Sequence, residues 1–162
     1  MHERFQQVDK AQLARRFGAA ARHYDAHARF QQEVGQALLD LMPDGPVGSE
    51  LTVCGLDLGC GTGFFLPALA GRCPQLHGLD LAPGMLAQAA LRGSGARLLC
   101  GDAEALPFAD QSLDWVFSSL ALQWCERPAQ AFAEIHRVLK PGGQLLFSTL
   151  LGDSLWQLRE AW

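Results

Sequence analysis

Three aspartates and three glycines carry most of the chemistry this sequence can do. The run Leu56-Asp57-Leu58-Gly59-Cys60-Gly61-Thr62-Gly63 sets an acid and then three glycines at alternate positions. The apolar stretch Leu51 to Leu58 leads into it, and Phe64-Phe65-Leu66-Pro67-Ala68-Leu69 follows as the first turns of a helix. Glycine tolerates positive φ and lets backbone approach a ligand. A helix N-terminus offers unpaired N–H groups and partial positive charge. Strand, glycine loop and helix together make a nucleotide-binding loop. The spacing is wrong for two common versions: G-x-G-x-x-G would need glycine where Phe64 stands, and no lysine follows the second glycine as G-K-[ST] requires. A second acid closes His77-Gly78-Leu79-Asp80-Leu81. A carboxylate about 20 residues past the first glycine can accept from both ribose hydroxyls. A third, Asp102, ends Arg97-Leu98-Leu99-Cys100-Gly101-Asp102-Ala103-Glu104. Each acid alone is more often a helix cap or a loop acid. Together they set an acid at the carboxyl end of three successive strands, where open α/β sheets bind ligands.

The elements that must hold these residues follow from periodicity. Residues 10–42 are helical, with Leu13, Phe17, Ala21, Tyr24 and Ala28 at helical spacing, then Val34, Leu38 and Leu41, and a break near Tyr24-Asp25-Ala26. Pro43 to Ser49 is a linker of turn formers. Strands are expected at about 51–58, 76–81, 96–101, 113–119 and 143–150, and helices at about 64–71, 84–92, 128–139 and 153–162. Pro83 stands near the start of the helix that carries Met85. Phe132, Ile135 and Leu139 give the next helix its buried face. Lys140-Pro141-Gly142-Gly143 stops that helix ahead of the fifth strand. Right-handed crossovers make this an α/β fold with a doubly wound parallel sheet.

Composition fits one soluble domain with a real core: 162 residues, 49% hydrophobic and 19% charged. No apolar run is long enough to span a bilayer, and Met1 to Phe5 lacks a signal-peptide core. Five cysteines without a C-x-x-C pair argue against disulfides or zinc and for the reducing cytoplasm. The five histidines show no metal-ligand spacing. The net charge of −4 is uneven: residues 1–31 carry +3 and the rest −7. Arg15, Arg22 and Arg29 recur every seven residues, near one helical face. That strip is a solvated face or a dock for an acidic partner.

The pattern D-x-G-x-G-x-G, with Asp80 and Asp102 after it, resembles class I S-adenosylmethionine-dependent methyltransferases. That resemblance implies a Rossmann-like fold with strand order 3-2-1-4-5, whose last two family strands are missing from this chain, leaving an apolar edge. It divides the chain into an N-terminal helical lid, 1–46, and an S-adenosyl-L-methionine-binding α/β domain, 47–162. The family loop Gly59, Cys60, Gly61 and Gly63 wraps the methionine end of the cofactor, Asp57 reaches its amino group, and Asp102 takes the adenine amine. Cys60 also reads as a small packing residue. Leu81, Met85 and Ala103 are further cofactor-binding positions, Ser118, Ser119 and Leu120 line the sulfonium side, and Tyr24 and Gln31 cover the methionine end. Tyr24 serves equally as a helix-packing residue.

One subfamily is matched further. Arg16-Phe17-Gly18-Ala19-Ala20-Ala21-Arg22-His23-Tyr24-Asp25, the segment Leu120-Ala121-Leu122-Gln123-Trp124-Cys125 and the tail Thr149 to Leu155 with Ala161-Trp162 resemble the malonyl-[acyl-carrier protein] O-methyltransferases of biotin synthesis. The resemblance implies methylation of the free carboxyl of a malonyl thioester on acyl-carrier protein, with Gln123 and Trp124 at the substrate mouth. A carboxylate is already a nucleophile, so no acid–base residue is named. Ser118-Ser119-Leu120-Ala121 is not the Pro-Pro-Tyr type used on base amines, which argues against nucleic acid. None of Arg127, Arg137 or Arg159 is assigned by motif to the malonyl carboxylate. The glycine loop leaves open an enzyme for another small acid or a quinone, and a fragment that binds cofactor without turnover.

Overall fold

A computed structural model describes residues 9–42 and 53–150. Two helices open it. In α1 (Lys10–His27) the Asp9 carboxylate caps the first turn by accepting from the Gln12 N–H. In α2 (Arg29–Leu39) Leu38 and Leu39 are buried. The break falls at Ala28, not at Tyr24-Asp25-Ala26. Tyr24 and Asp25 stay helical, and the Asp25 carbonyl ends α1 by accepting from the Ala28 N–H and Gln32 Nε2.

Five strands follow: β1 (Cys54–Leu58), β2 (Gln75–Asp80), β3 (Arg97–Cys100), β4 (Leu113–Ser119) and β5 (Leu139–Ser148). They pair in parallel in the order β3-β2-β1-β4-β5, as expected. Helices α3 (Leu66–Ala70), α4 (Pro83–Ala90) and α5 (Pro128–Val138) make crossovers, the last two starting on proline. Covered on both faces, the central strands are mostly apolar: Leu56, Leu58, Val116 and Phe117 have almost no exposure.

Two expectations fail around α5. Its buried face is Ala131, Ile135 and Val138, while Phe132 stays partly exposed with its ring edge-on to Phe147 at 5.4 Å. Nor does Lys140-Pro141-Gly142-Gly143 separate helix from strand. β5 begins at Leu139 and takes these residues in as an irregularity, pairing Leu113 with Leu139 and then Trp115 with Gln144. The expected strand start at 51–52, the helix at 153–162 and the tail from Leu151 lie outside the described residues.

α1 crosses α4 at a point where both backbones touch. A Cβ on Gly84 would stand 2.7 Å from the Cα and 2.8 Å from the carbonyl oxygen of Gly18. Neither atom can swing aside, so Gly84→Ala is expected to cost about 1–3 kcal/mol, the usual range for overpacking. Urea unfolding checks this, and an unchanged midpoint would mean the helices separate freely.

Candidate functional site

The carboxyl ends of the strands and the underside of α1 enclose a cavity of about 180 Å³. Its floor is the loop after β1, where Gly59, Gly61 and Gly63 take φ of 75°, 55° and 72°. The Gly59 and Cys60 N–H groups donate to the Leu79 carbonyl at 2.7 and 3.0 Å, tying the loop to β2.

Asp80 holds the same loop. Its Oδ2 accepts from the Gly61 N–H and its Oδ1 from the Ala82 N–H, both at 2.8 Å. Each oxygen keeps a lone pair for a further donor. Burial pushes this carboxyl above the ordinary range and the backbone bonds pull it back only in part. Asp57 lies deeper, 3% exposed, and burial followed by the Asp80 charge pushes its carboxyl up to about 8. Among the described residues no donor bonds it. Such a group is matched by a bound cation.

At the third strand end, Asp102 Oδ1 accepts from the Glu104 N–H at 2.9 Å and Oδ2 from Lys10 Nζ at 2.7 Å. The Lys10 ammonium also meets Glu104 at 2.8 Å. Glu104 is buried, which works against its charge, but bonds from Lys10 and Arg127 prevail and hold it down to about 2. The other end of α1 is fastened too. Thr62 Oγ1 donates to Asp25 Oδ1 at 2.6 Å, and Arg92 pairs with the second Asp25 oxygen while giving Nε to the Thr62 carbonyl at 2.7 Å. Between these ties Leu13, Ala14, Phe17 and Tyr24 roof the cavity. Phe17 meets Tyr24 and Trp124 edge-on, at 6.3 and 5.6 Å.

The cavity wall includes Tyr24, Gln31, Asp57, Gly59, Cys60, Gly61, Asp80, Leu81, Met85, Asp102, Ala103, Ser119, Leu120 and Trp124. Three expected residues are turned away from it. Ser118 is fully buried and donates to the Leu58 carbonyl at 2.8 Å, because successive strand residues face opposite ways. Gly63 serves packing: a Cβ there would stand 2.8 Å from that of Ala89 and 2.9 Å from Leu66 Cδ1. Gln123 gives its amide to the Leu120 carbonyl at 2.7 Å. Cys60 is buried, and its thiol is driven far above its usual range by burial and then by Asp57 and Asp80, which disfavours the thiolate and suits a packing role. Arg127 pairs with Glu104, Arg137 with Glu134 and Asp110, and Arg159 lies outside the described residues.

Lys10, Phe17, Asp25, Thr62 and Phe65 also line the cavity and were missed. Phe17 could have been found, since it shares the helical stripe that carries Tyr24. Lys10 and Asp25 could not: their partners lie 92 and 37 residues away.

Known proteins resemble this chain along most of its length. Residues 56–147 match the family described as "Methyltransferase domain". The chain is 44% identical over 155 residues to a malonyl-[acyl-carrier protein] O-methyltransferase of Serratia marcescens, covering 96% of this chain and 59% of that one. It is 47% identical over 156 residues to the biotin biosynthesis bifunctional protein BioHC of Cellvibrio japonicus, covering 96% of this chain and 30% of that protein. The chain thus spans less than two thirds of these relatives. Among solved structures, a chain of the "complex between the Haloferax volcanii Trm112 methyltransferase activator and the putative methyltransferase" superposes with a TM-score of 0.71 at 30% identity, over 82% of this chain and 59% of that one. DhpI, solved as a complex with SAM and HEP, shares the fold with a TM-score of 0.74 at 22% identity, over 98% of this chain and 73% of its own.

Proposed function

We propose, from the premise that the chain belongs to the methyltransferase domain family, that its cavity binds S-adenosyl-L-methionine and that the protein esterifies the free carboxyl of malonyl-[acyl-carrier protein]. One observation carries the cofactor reading: Asp57, Asp80 and Asp102 converge with the glycine loop on a single cavity. The substrate reading is supported by the relatives matched along nearly the whole chain. The bound cofactor would supply an electrophilic methyl on a sulfonium.

The residues fit that ligand. Asp57, a buried acid without a donor, takes the ammonium of the methionine end. Asp80 spends its spare lone pairs on the ribose hydroxyls, and Asp102 accepts from the adenine amine beside Lys10. Cys60, Gly59 and Gly61 give backbone, with no bulk between loop and ligand. Leu81, Met85 and Ala103 pack on the nucleoside, and Tyr24 and Gln31 close the methionine end. Ser119 and Leu120 border the transferred methyl. Trp124 stands at the mouth where a malonyl carboxylate enters. That nucleophile needs no base, so this chain's work is alignment and exclusion of water. The apolar walls of Phe17, Phe65 and Leu120 suit the second task. The setting is the cytoplasm. All five cysteines are free, and among the described residues no helix is long and apolar enough to cross a membrane.

A methyl-transfer assay with malonyl-carrier protein, against free malonate and unloaded carrier protein, tests the reading. Product from the first alone supports it. Cofactor binding with no product from any acid would leave only a cofactor-binding unit.

Asp57 gives a pH signature. Its folded pKa of about 8 exceeds the unfolded value of 3.8. The native chain therefore keeps a proton that the unfolded chain sheds, and this contribution to stability is lost as pH rises toward 8. A bound ammonium reverses the preference, so binding at pH 7 should release about one proton. Calorimetry in buffers of different ionisation enthalpy reads that number, and zero would dismiss the ammonium–Asp57 pair.

The carrier protein docks on the basic face, in this reading. Arg15 and Arg22 are exposed on α1. Arg29 lies past the break, in α2, and is held by Glu33 at 2.8 Å, so the three do not share one helix. Replacing all three should slow association roughly tenfold at low salt, with less effect at high salt. Stopped-flow rates that ignore the substitutions would remove the dock.

A further inference from the structure

Leu120 follows β4 with φ of 49°, a left-handed conformation that a leucine adopts only under constraint. Two side chains supply it. Gln123 Nε2 donates to the Leu120 carbonyl at 2.7 Å, and Ser148 takes the Leu120 N–H with both its carbonyl and its hydroxyl oxygen at 3.1 Å. The Gln123 bond is made at a cost: its Oε1 is buried with no partner among the described residues. An unpaired acceptor and a strained backbone thus stand three residues apart, joined by one hydrogen bond. Such paired costs mark a position that the surrounding structure over-determines.

The strained turn bears on the glycine loop. Leu120 lines the cavity, and its neighbour Ala121 fills the space that a side chain on Gly59 would occupy, 2.3 Å from that virtual Cβ. We propose that Gln123 is a positioning residue: its amide locks Leu120 in the left-handed turn, which sets Ala121 against Gly59 and so fixes the shape of the cofactor loop. This assigns Gln123 a role without contact to any ligand, and it rests on the cavity being the S-adenosylmethionine site.

The test is a double-mutant cycle on the full chain. Gln123→Met keeps the length and loses the donor. Leu120→Gly removes the penalty for positive φ. In a crystal structure of Gln123→Met, Leu120 should revert to negative φ. Affinity for S-adenosylhomocysteine should fall about tenfold, within the range of couplings between contacting residues. Added on top of Leu120→Gly, the same change should cost less than about twofold, since glycine needs no clamp. Should the methionine variant fail to fold, Gln123→Leu removes both the donor and the unpaired acceptor and is read in the same way. Leu120 remaining left-handed without the amide, or equal losses in both backgrounds, would overturn the proposal. If the wild-type chain binds no S-adenosylhomocysteine, the cofactor reading fails, and the crystal structure alone decides whether the clamp exists.

Discussion

Asp80→Ala should weaken S-adenosylhomocysteine binding by about 1.5–3 kcal/mol, roughly 10- to 150-fold, the scale of hydrogen bonds to a charged group. Two losses combine. The ribose hydroxyls lose their acceptor, and the Gly61 and Ala82 N–H groups lose theirs, so the loop that must close on the ligand is no longer tied to β2 through its middle. Stability should fall less than affinity. Burial disfavours the Asp80 charge, and that penalty disappears with the side chain. A second readout is independent of the ribose. Asp80 is one of the two causes that raise the Asp57 carboxyl, so in the variant Asp57 should titrate lower and ligand binding at pH 7 should release fewer protons. Calorimetry at two or three pH values gives both quantities. Unchanged affinity with unchanged proton release would remove Asp80 from the site.

Gly59→Ala should be comparably severe for a different reason. The residue has φ of 75°, which costs an L side chain about 1–2 kcal/mol. Its new methyl would lie 2.3 Å from the Ala121 Cβ, a group with no rotamer by which to withdraw. Overpacking of this kind adds about 1–3 kcal/mol. Relief requires the loop or the Leu120–Ala121 turn to move, and both border the cavity. A lowered melting temperature together with lost ligand affinity is expected. Gly59→Ala combined with Ala121→Gly relieves the contact but not the φ strain, so it should recover part of the stability. No recovery would show that Ala121 is not what limits the loop.

The parts legible in the sequence are those written in local pattern. Alternating apolar strands and helices gave the parallel sheet, the family resemblance implied its strand order, and D-x-G-x-G-x-G with two later acids marked the strand ends that enclose the cavity. Ser118 and Ser119 show a finer limit. The exit of β4 was recognised, yet strand alternation lets only Ser119 face the cavity while Ser118 bonds to β1. Asp80 was read as a ligand acid, and its two backbone bonds to the loop could not be foreseen, since they depend on the bend of the glycines. The end of α1 moved to Ala28 because Asp25 is held in place by Thr62 and Arg92, residues remote in sequence. Lys10 joins Asp102, 92 residues away, and Glu104 just beyond it, and no periodicity reports such a contact.

The central claim is that three strand-end acids and a glycine loop bind one S-adenosyl ligand. A crystal structure of the chain grown with S-adenosylhomocysteine tests it most directly. The account predicts the ammonium against Asp57, the ribose on Asp80 and the adenine amine at Asp102, under an α1 still fastened by Lys10 and Asp25. Ligand found elsewhere on the surface, or a cavity that takes a phosphorylated molecule in its place, would contradict it.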